Sequence, residues 1–205
     1  ARVEKIDTST RIEVDGDFLV IGSGGSPAGI NPPAVFQRAF SGVFCFENKV
    51  NRWKSINCER GCWAEFNSFR SYVEEPFFHG CSNWRIAAYG VSWSGCQDCG
   101  SGKIRTRSGA RHAVTSNAGN SQYGSWCSNG LSYGDIEHIG GYAGAMDTHA
   151  GVGPIKAGHV KELMAPDYST GSSQPLFSQG AGYQVQSLEI TGSGGVAAGF
   201  QSIGW

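Results

Sequence analysis

Apolar and polar residues alternate in short runs along most of this chain, and glycine-rich breaks separate the runs. Trp53-Lys-Ser-Ile-Asn-Cys58, Trp84-Arg-Ile-Ala87, Asp135-Ile-Glu-His-Ile139, His159-Val-Lys-Glu-Leu-Met164 and Val185-Gln-Ser-Leu-Glu-Ile190 each follow a period of two. That period sends successive side chains to opposite faces, so each run is predicted as a strand with one buried face. Nearer the N-terminus, Arg11-Ile-Glu-Val-Asp15 and Phe18-Leu-Val-Ile21 read as two more short strands. Gly22 to Pro33 reads as a loop, and Pro33-Ala-Val-Phe-Gln-Arg-Ala-Phe40 as a short helix capping an open end.

A second pattern repeats over a longer distance. Phe46, Phe66, Val91, Val114, Met146, Phe177 and Phe200 form an apolar column, each followed by a polar residue: Glu47, Asn67, Ser92, Thr115, Asp147, Ser178 and Gln201. The steps between column members are 20, 25, 23, 32, 31 and 23 residues. Glycines recur shortly after the strand, at Gly95, Gly119, Gly151, Gly182 and Gly204. A unit of this length with two or three short strands is one rung of a β-solenoid, whose apolar face is buried only by stacking on its neighbours. About seven to eight rungs are expected over residues 41–205, with residues 1–40 supplying N-terminal strands and a cap. A β-sandwich or an irregular α+β domain is the alternative; a sandwich explains the strands but not the recurring apolar–polar pair. Trp205 follows directly on a rung strand, which predicts a longer chain or an oligomer that covers this end.

Composition narrows the picture. Glycine supplies 31 of 205 residues, charged residues are 16%, aromatics are 12% and the formal net charge is −1. The aromatic content argues against disorder. The charge argues against phosphate-based nucleic-acid binding. No apolar run approaches the ~20 residues of a membrane-spanning helix, so no membrane insertion is expected. The basic stretch Lys103, Arg105, Arg107 and Arg111 reads as a solvated strand face that could attract an acidic polysaccharide.

Asn57-Cys58 closing a strand, with small residues at the corners, resembles the right-handed parallel β-helix of pectate-lyase-like proteins. Arg111-His-Ala-Val-Thr115, followed one rung later by Met146-Asp-Thr-His149, resembles the β-helix proteins of phage tails. The resemblance covers about residues 40–205, and neither the calcium-binding Asp cluster nor the catalytic Arg motif of pectate lyases is matched residue by residue. It implies an all-β right-handed parallel β-helix that recognises and depolymerises a polysaccharide. It also implies an extracellular or virion location and a homotrimer or larger assembly.

Chemistry is expected where neighbouring rungs bring polar residues together. Asp135, Glu137 and His138 lie on one predicted strand, Asp147 and His149 on the next, and Arg111, His112, Thr115 and Asn117 on the rung before. Asp147 and His149 share a face by the period of two, with Thr115 and Asn117 beneath them. A glycoside hydrolase would use Asp147 with Glu137 or Asp135 as its carboxylate pair. A lyase would use His149 or His112 to remove the proton beside a uronate, with Arg111 neutralising the carboxylate. The bland reading has Asp147, Thr148 and His149 satisfying backbone groups at a corner. His149, Asp147 and His138 could also hold a divalent cation, although no cofactor is required.

Aromatics supply a second candidate surface for sugar rings. Trp93, in Val91-Ser-Trp-Ser94, is expected to face outward from an inward Val91, and Trp126 and Tyr123 are further binding candidates. The seven cysteines leave at least one unpaired. Cys58-x3-Cys62 with Cys96-x2-Cys99 has spacing suited to a four-thiolate zinc site, but disulfides or reduced buried thiols fit equally. A non-catalytic adhesive protein and a secreted pectate-lyase-like enzyme remain the contrasting functions.

Overall fold

The computed structural model describes residues 13–21, 38–56, 60–79, 89–107, 112–118, 126–141, 144–164, 176–178, 182–191 and 201–202. In chain order the strands begin with β1 (Glu13–Ile21), β2 (Arg38–Val43), β3 (Lys49–Ile56) and β4 (Arg60–Phe66). Next come β5 (Tyr72–His79), β6 (Tyr89–Ser94), β7 (Gly100–Ser101), β8 (Ile104–Arg107) and β9 (His112–Asn117). Then follow β10 (Ser132–Tyr133), β11 (Ile136–Gly141), β12 (Met146–Thr148) and β13 (Ile155–Met164). The last are β14 (Leu176–Ser178), β15 (Tyr183–Thr191) and β16 (Gln201–Ser202).

These strands form two sheets, and the chain passes from one to the other in turn. The broad sheet has nine strands: β1, β3 and β5, then β7 and β8, β10 and β11, β13 and β15. The narrow sheet has seven, in the order β16-β14-β12-β9-β6-β4-β2. Every strand pairing is parallel. Both sheets contribute to one core, which holds Val50, Val73, Ile104, Ile136 and Val160 from the broad sheet and Trp63, Val91, Trp93, Val114 and Met146 from the narrow one. Trp53 meets Trp63 edge to face across it at 5.1 Å, and Tyr133 shares a 2.8 Å hydrogen bond with Ser116.

The two sheets differ in their outer faces. Strand β3 alternates buried with exposed positions, as a sheet with one solvated side should. Along β6 and β9, in the middle of the narrow sheet, nearly every residue is buried on both faces of the strand. Two parallel sheets without a helix replace the expected right-handed parallel β-helix of seven to eight rungs with its capping helix. Among the described residues there is no helix, and Arg38 to Phe40 of the expected cap lie in strand β2. The rest of that segment, and the loop before it, fall outside the described residues.

The misreading has a physical origin in register. Val91, Val114 and Met146 do share one ladder, but Trp63 and Leu176 continue it. Phe66 pairs with Ser94, Phe177 pairs with Asp147, and Phe46 bridges Phe69 in a turn. Alternation identifies a strand and its two faces; it does not fix how many residues the turns between strands consume.

Those turns have a regular form. Phe44, Asn67, Gly95 and Gly151 adopt left-handed backbone angles, with φ of 53°, 51°, 68° and 77°. Three residues after the first three of these, Glu47, Arg70 and Asp98 do so again, with φ of 54°, 53° and 52°, and Gly130, beside Asp98 in the next turn, has φ of 66°. Isolated bridges from Phe46 to Phe69, Gln97 and Asn129 tie successive turns together. Small side chains line the inside: Ser68 Oγ accepts from the Cys45 amide and Ser128 Oγ from the Cys96 amide, each at 3.1 Å.

Candidate functional site

The narrow sheet carries a compact acid–base group on its outer side. Met146 belongs to the core, so its neighbour Asp147 points the opposite way. The parallel register sets Asp147 beside Thr115, and Thr115 Oγ1 donates to Asp147 Oδ2 at 3.3 Å. His149 Nε2 lies 2.9 Å from the same oxygen, and His112 Nε2 lies 3.7 Å from it. The His112 ring is anchored at its other end, where Nδ1 donates to the Gly144 carbonyl at 2.6 Å. A carbonyl can only accept, so His112 carries a proton on Nδ1. The His149 amide donates to the Ser116 carbonyl at 2.9 Å, fixing the backbone beneath the ring.

Burial pushes the Asp147 carboxyl up, but four influences outweigh it together. The His149 hydrogen bond, the charges of His112 and His149, and the Thr115 hydroxyl hold it below its ordinary value. Asp147 is therefore an anion at neutral pH. Its side chain is 5% exposed, whereas that of His149 is 41% exposed. A buried carboxylate thus orients an imidazole that reaches solvent, an arrangement suited to proton transfer.

Other predicted site residues go elsewhere. Glu137 pairs with Arg107 at 2.8 Å on the outer face of the broad sheet, away from Asp147. Asp135 Oδ1 accepts from the His159 amide at 3.0 Å and so serves the backbone. His138 is fully buried in the interior, where its Nδ1 contacts Thr106 Oγ1 and its Nε2 lies 3.9 Å from Glu162 Oε1. Asn117 Nδ2 donates to Ser94 Oγ at 3.4 Å. Trp93 faces the core, not solvent, because residues two apart in a strand share a face with Val91. Arg111 and Tyr123 lie outside the described residues.

The cation set does not come together, since His138 is in the core while Asp147 and His149 are on the outer face. Among the described residues no group of three or more His, Cys, Asp or Glu side chains is placed so that it could hold a metal ion. Of the four cysteines considered for zinc, Cys96 and Cys99 are free thiols. The Cys96 thiol donates to the Glu65 carbonyl at 3.4 Å, and that of Cys99 to the Gln97 carbonyl at 3.3 Å. Cys58 and the side chain of Cys62 are outside the described residues.

Two features escaped the sequence reading. One is the buried carboxyls Glu65 and Glu162. Glu65 Oε1 accepts from Asn48 Nδ2 at 3.2 Å and Trp63 Nε1 at 3.1 Å, and burial nonetheless pushes its carboxyl above its ordinary value. The other is an aromatic ridge on the turns, where Trp126 packs edge-on against Phe44 and Phe69 at 6.0 and 5.6 Å. Phe46 joins Phe69 at 6.4 Å. The bridge from Phe46 to Phe69 shows that equivalent turn positions carry aromatics, a signal the apolar column obscured by placing Phe46 inside a strand.

Comparison with family models, curated proteins and solved structures finds no match for this chain.

Proposed function

We propose that this protein recognises a polysaccharide and acts on it at the His112–Asp147–His149 group, with His149 as the base that removes a proton beside a uronate carboxylate. The observation that carries the reading is the 2.9 Å contact between the half-exposed His149 and the buried, anionic Asp147. With Nε2–H held by Asp147, the basic nitrogen of neutral His149 is Nδ1. His149 Nδ1 takes the carbon-bound proton, and a C=C bond forms as the bond to the glycosidic oxygen breaks. That oxygen leaves as a hydroxyl after taking a proton from solvent, while His149 returns its own proton to solvent. An unsaturated sugar remains at the new end, with no net water consumed. Hydrolysis by paired carboxylates is less well supported, because Glu137 is engaged with Arg107 on the other sheet and Asp135 with the His159 amide.

The test is ultraviolet absorbance of unsaturated ends during incubation with a panel of uronic-acid polysaccharides. The rate should fall by about two orders of magnitude or more in His149→Asn and Asp147→Asn. Activity equal to the parent chain in both variants would sink the acid–base role. A second reading, glycan contact without catalysis, is favoured by the exposed Trp126. It predicts binding with no unsaturated product.

A further inference from the structure

The turns joining the narrow sheet to the broad one carry side chains that their geometry disfavours. Gly95 and Gly151 occupy the first left-handed position of two turns, and Phe44 occupies it in another. At the second left-handed position Gly130 is replaced in earlier turns by Glu47 and Arg70. Left-handed backbone is disfavoured for residues with a Cβ, and for a bulky one it is a conspicuous exception. Phe44 is 50% exposed at such a position, and its neighbours Trp126 and Phe46 are 43% and 38% exposed.

We propose that this ridge is a glycan-binding platform, separate from the acid–base group and sharing with it only the class of ligand. Phe44, Phe46, Phe69 and Trp126 form one chain of ring contacts between 5.6 and 6.4 Å. Along the same bridged column, Phe46 and Phe69 give way to Gln97 and then Asn129, one per strand spacing of about 4.8 Å. Rings offer apolar faces to the C–H side of a sugar, while planar amides donate to and accept from its hydroxyls.

The charge pattern fits the same occupant. Arg70 stands 5.9 Å over the Phe46 ring and pairs with Glu47 at 3.5 Å, so the ridge presents a guanidinium whose charge is already balanced. That suits hydroxyl groups better than a strongly anionic surface. Four rings on a line of turns are also small beside the roughly 800 Å² that each partner contributes to a stable protein interface. Gln97 Nε2 donates to the Cys127 carbonyl, which holds the backbone just after Trp126 against the ridge before any ligand arrives. Pre-positioning of this kind reduces the ordering cost of binding.

The test is titration of the full chain with neutral and uronic polysaccharides and with oligosaccharides cut from them, read by tryptophan fluorescence and by chemical shifts of the ridge rings. Phe46→Ala and Trp126→Ala should each weaken binding by about tenfold, and Gln97→Ala by less, with thermal melting unchanged. Binding at the ridge without unsaturated product would support the platform while removing the acid–base reading. Failure to bind any glycan, or full affinity in both aromatic variants, would overturn it. So would concentration-dependent self-association that Trp126→Ala abolishes, because a second copy would then be the occupant.

Discussion

Asp147 on the narrow sheet and Glu162 on the broad sheet are both almost wholly buried, and each has a histidine beside it. Their proton affinities nevertheless move in opposite directions. Burial pushes both carboxyls up. At Asp147 a 2.9 Å contact from His149, the charge of His112 and the Thr115 hydroxyl reverse the effect. At Glu162 the His138 Nε2 is 3.9 Å away, neither carboxylate oxygen makes a well-formed hydrogen bond, and only the Ala145 backbone opposes desolvation. Its carboxyl stays well above the ordinary carboxylate range. The 3.9 Å separation falls within reach of an ion pair, but burial raises the Glu162 carboxyl well above its ordinary value and so opposes the charged pair. Hydrogen bonding to the anion, rather than nearness to a histidine, decides which buried carboxyl is charged.

The contrast breaks most sharply at Asp147. Asp147→Ala would leave His112 and His149 without their shared acceptor, and should cost about 3–5 kcal/mol in chemical denaturation. An effect below ~1 kcal/mol would mean that the group is poorly formed in solution. Glu162→Met should act in the other direction, because it removes a carboxyl that gains little from its surroundings. Stability at neutral pH should rise by about 1–2 kcal/mol, and a loss would show that Glu162 is charged and paired. The smallest effect is expected at Thr115→Val, about 1 kcal/mol, accompanied by an upward move of the Asp147 carboxyl visible by NMR.

Acid dependence follows from the same two groups. Glu162 binds its proton more tightly when folded, so its contribution to stability is complete below the unfolded value and is lost as pH rises through the raised one. Glu65 acts in the same sense. Asp147 is depressed, so its contribution is present above the unfolded value and is lost as pH falls through the lowered one. The contributions of Glu162 and Glu65 therefore decline as pH rises from mildly acidic solution towards neutrality, while that of Asp147 is kept. Melting temperatures across that range should show the decline towards neutral pH, and Glu162→Met should flatten it.

Part of this contrast was legible in the sequence. The spacing of Ser92, Thr115 and Asp147 put them on one ladder, and the structure pairs them so. The period of two also placed His149 with Asp147. The same rule assigns His138 to the face of Ile136, but hydropathy marks histidine as polar and so concealed that this face is the core. Trp93 is a similar case: its distance of two from Val91 required a shared face. Glu162 carries no local mark of burial, because neighbouring lysine and histidine make its strand look solvated. The number of sheets was hidden in the turns, where Phe44, Glu47 and Arg70 take left-handed angles that composition associates with glycine.

The most direct test is a carbon-13 NMR titration of the Asp147 and Glu162 side-chain carboxyls in the full chain. Asp147 should lose its proton below the ordinary aspartate range, while Glu162 keeps its proton well above the ordinary glutamate range. A Glu162 carboxyl that ionises at or below its ordinary value, or an Asp147 carboxyl that titrates above its own, would contradict the account.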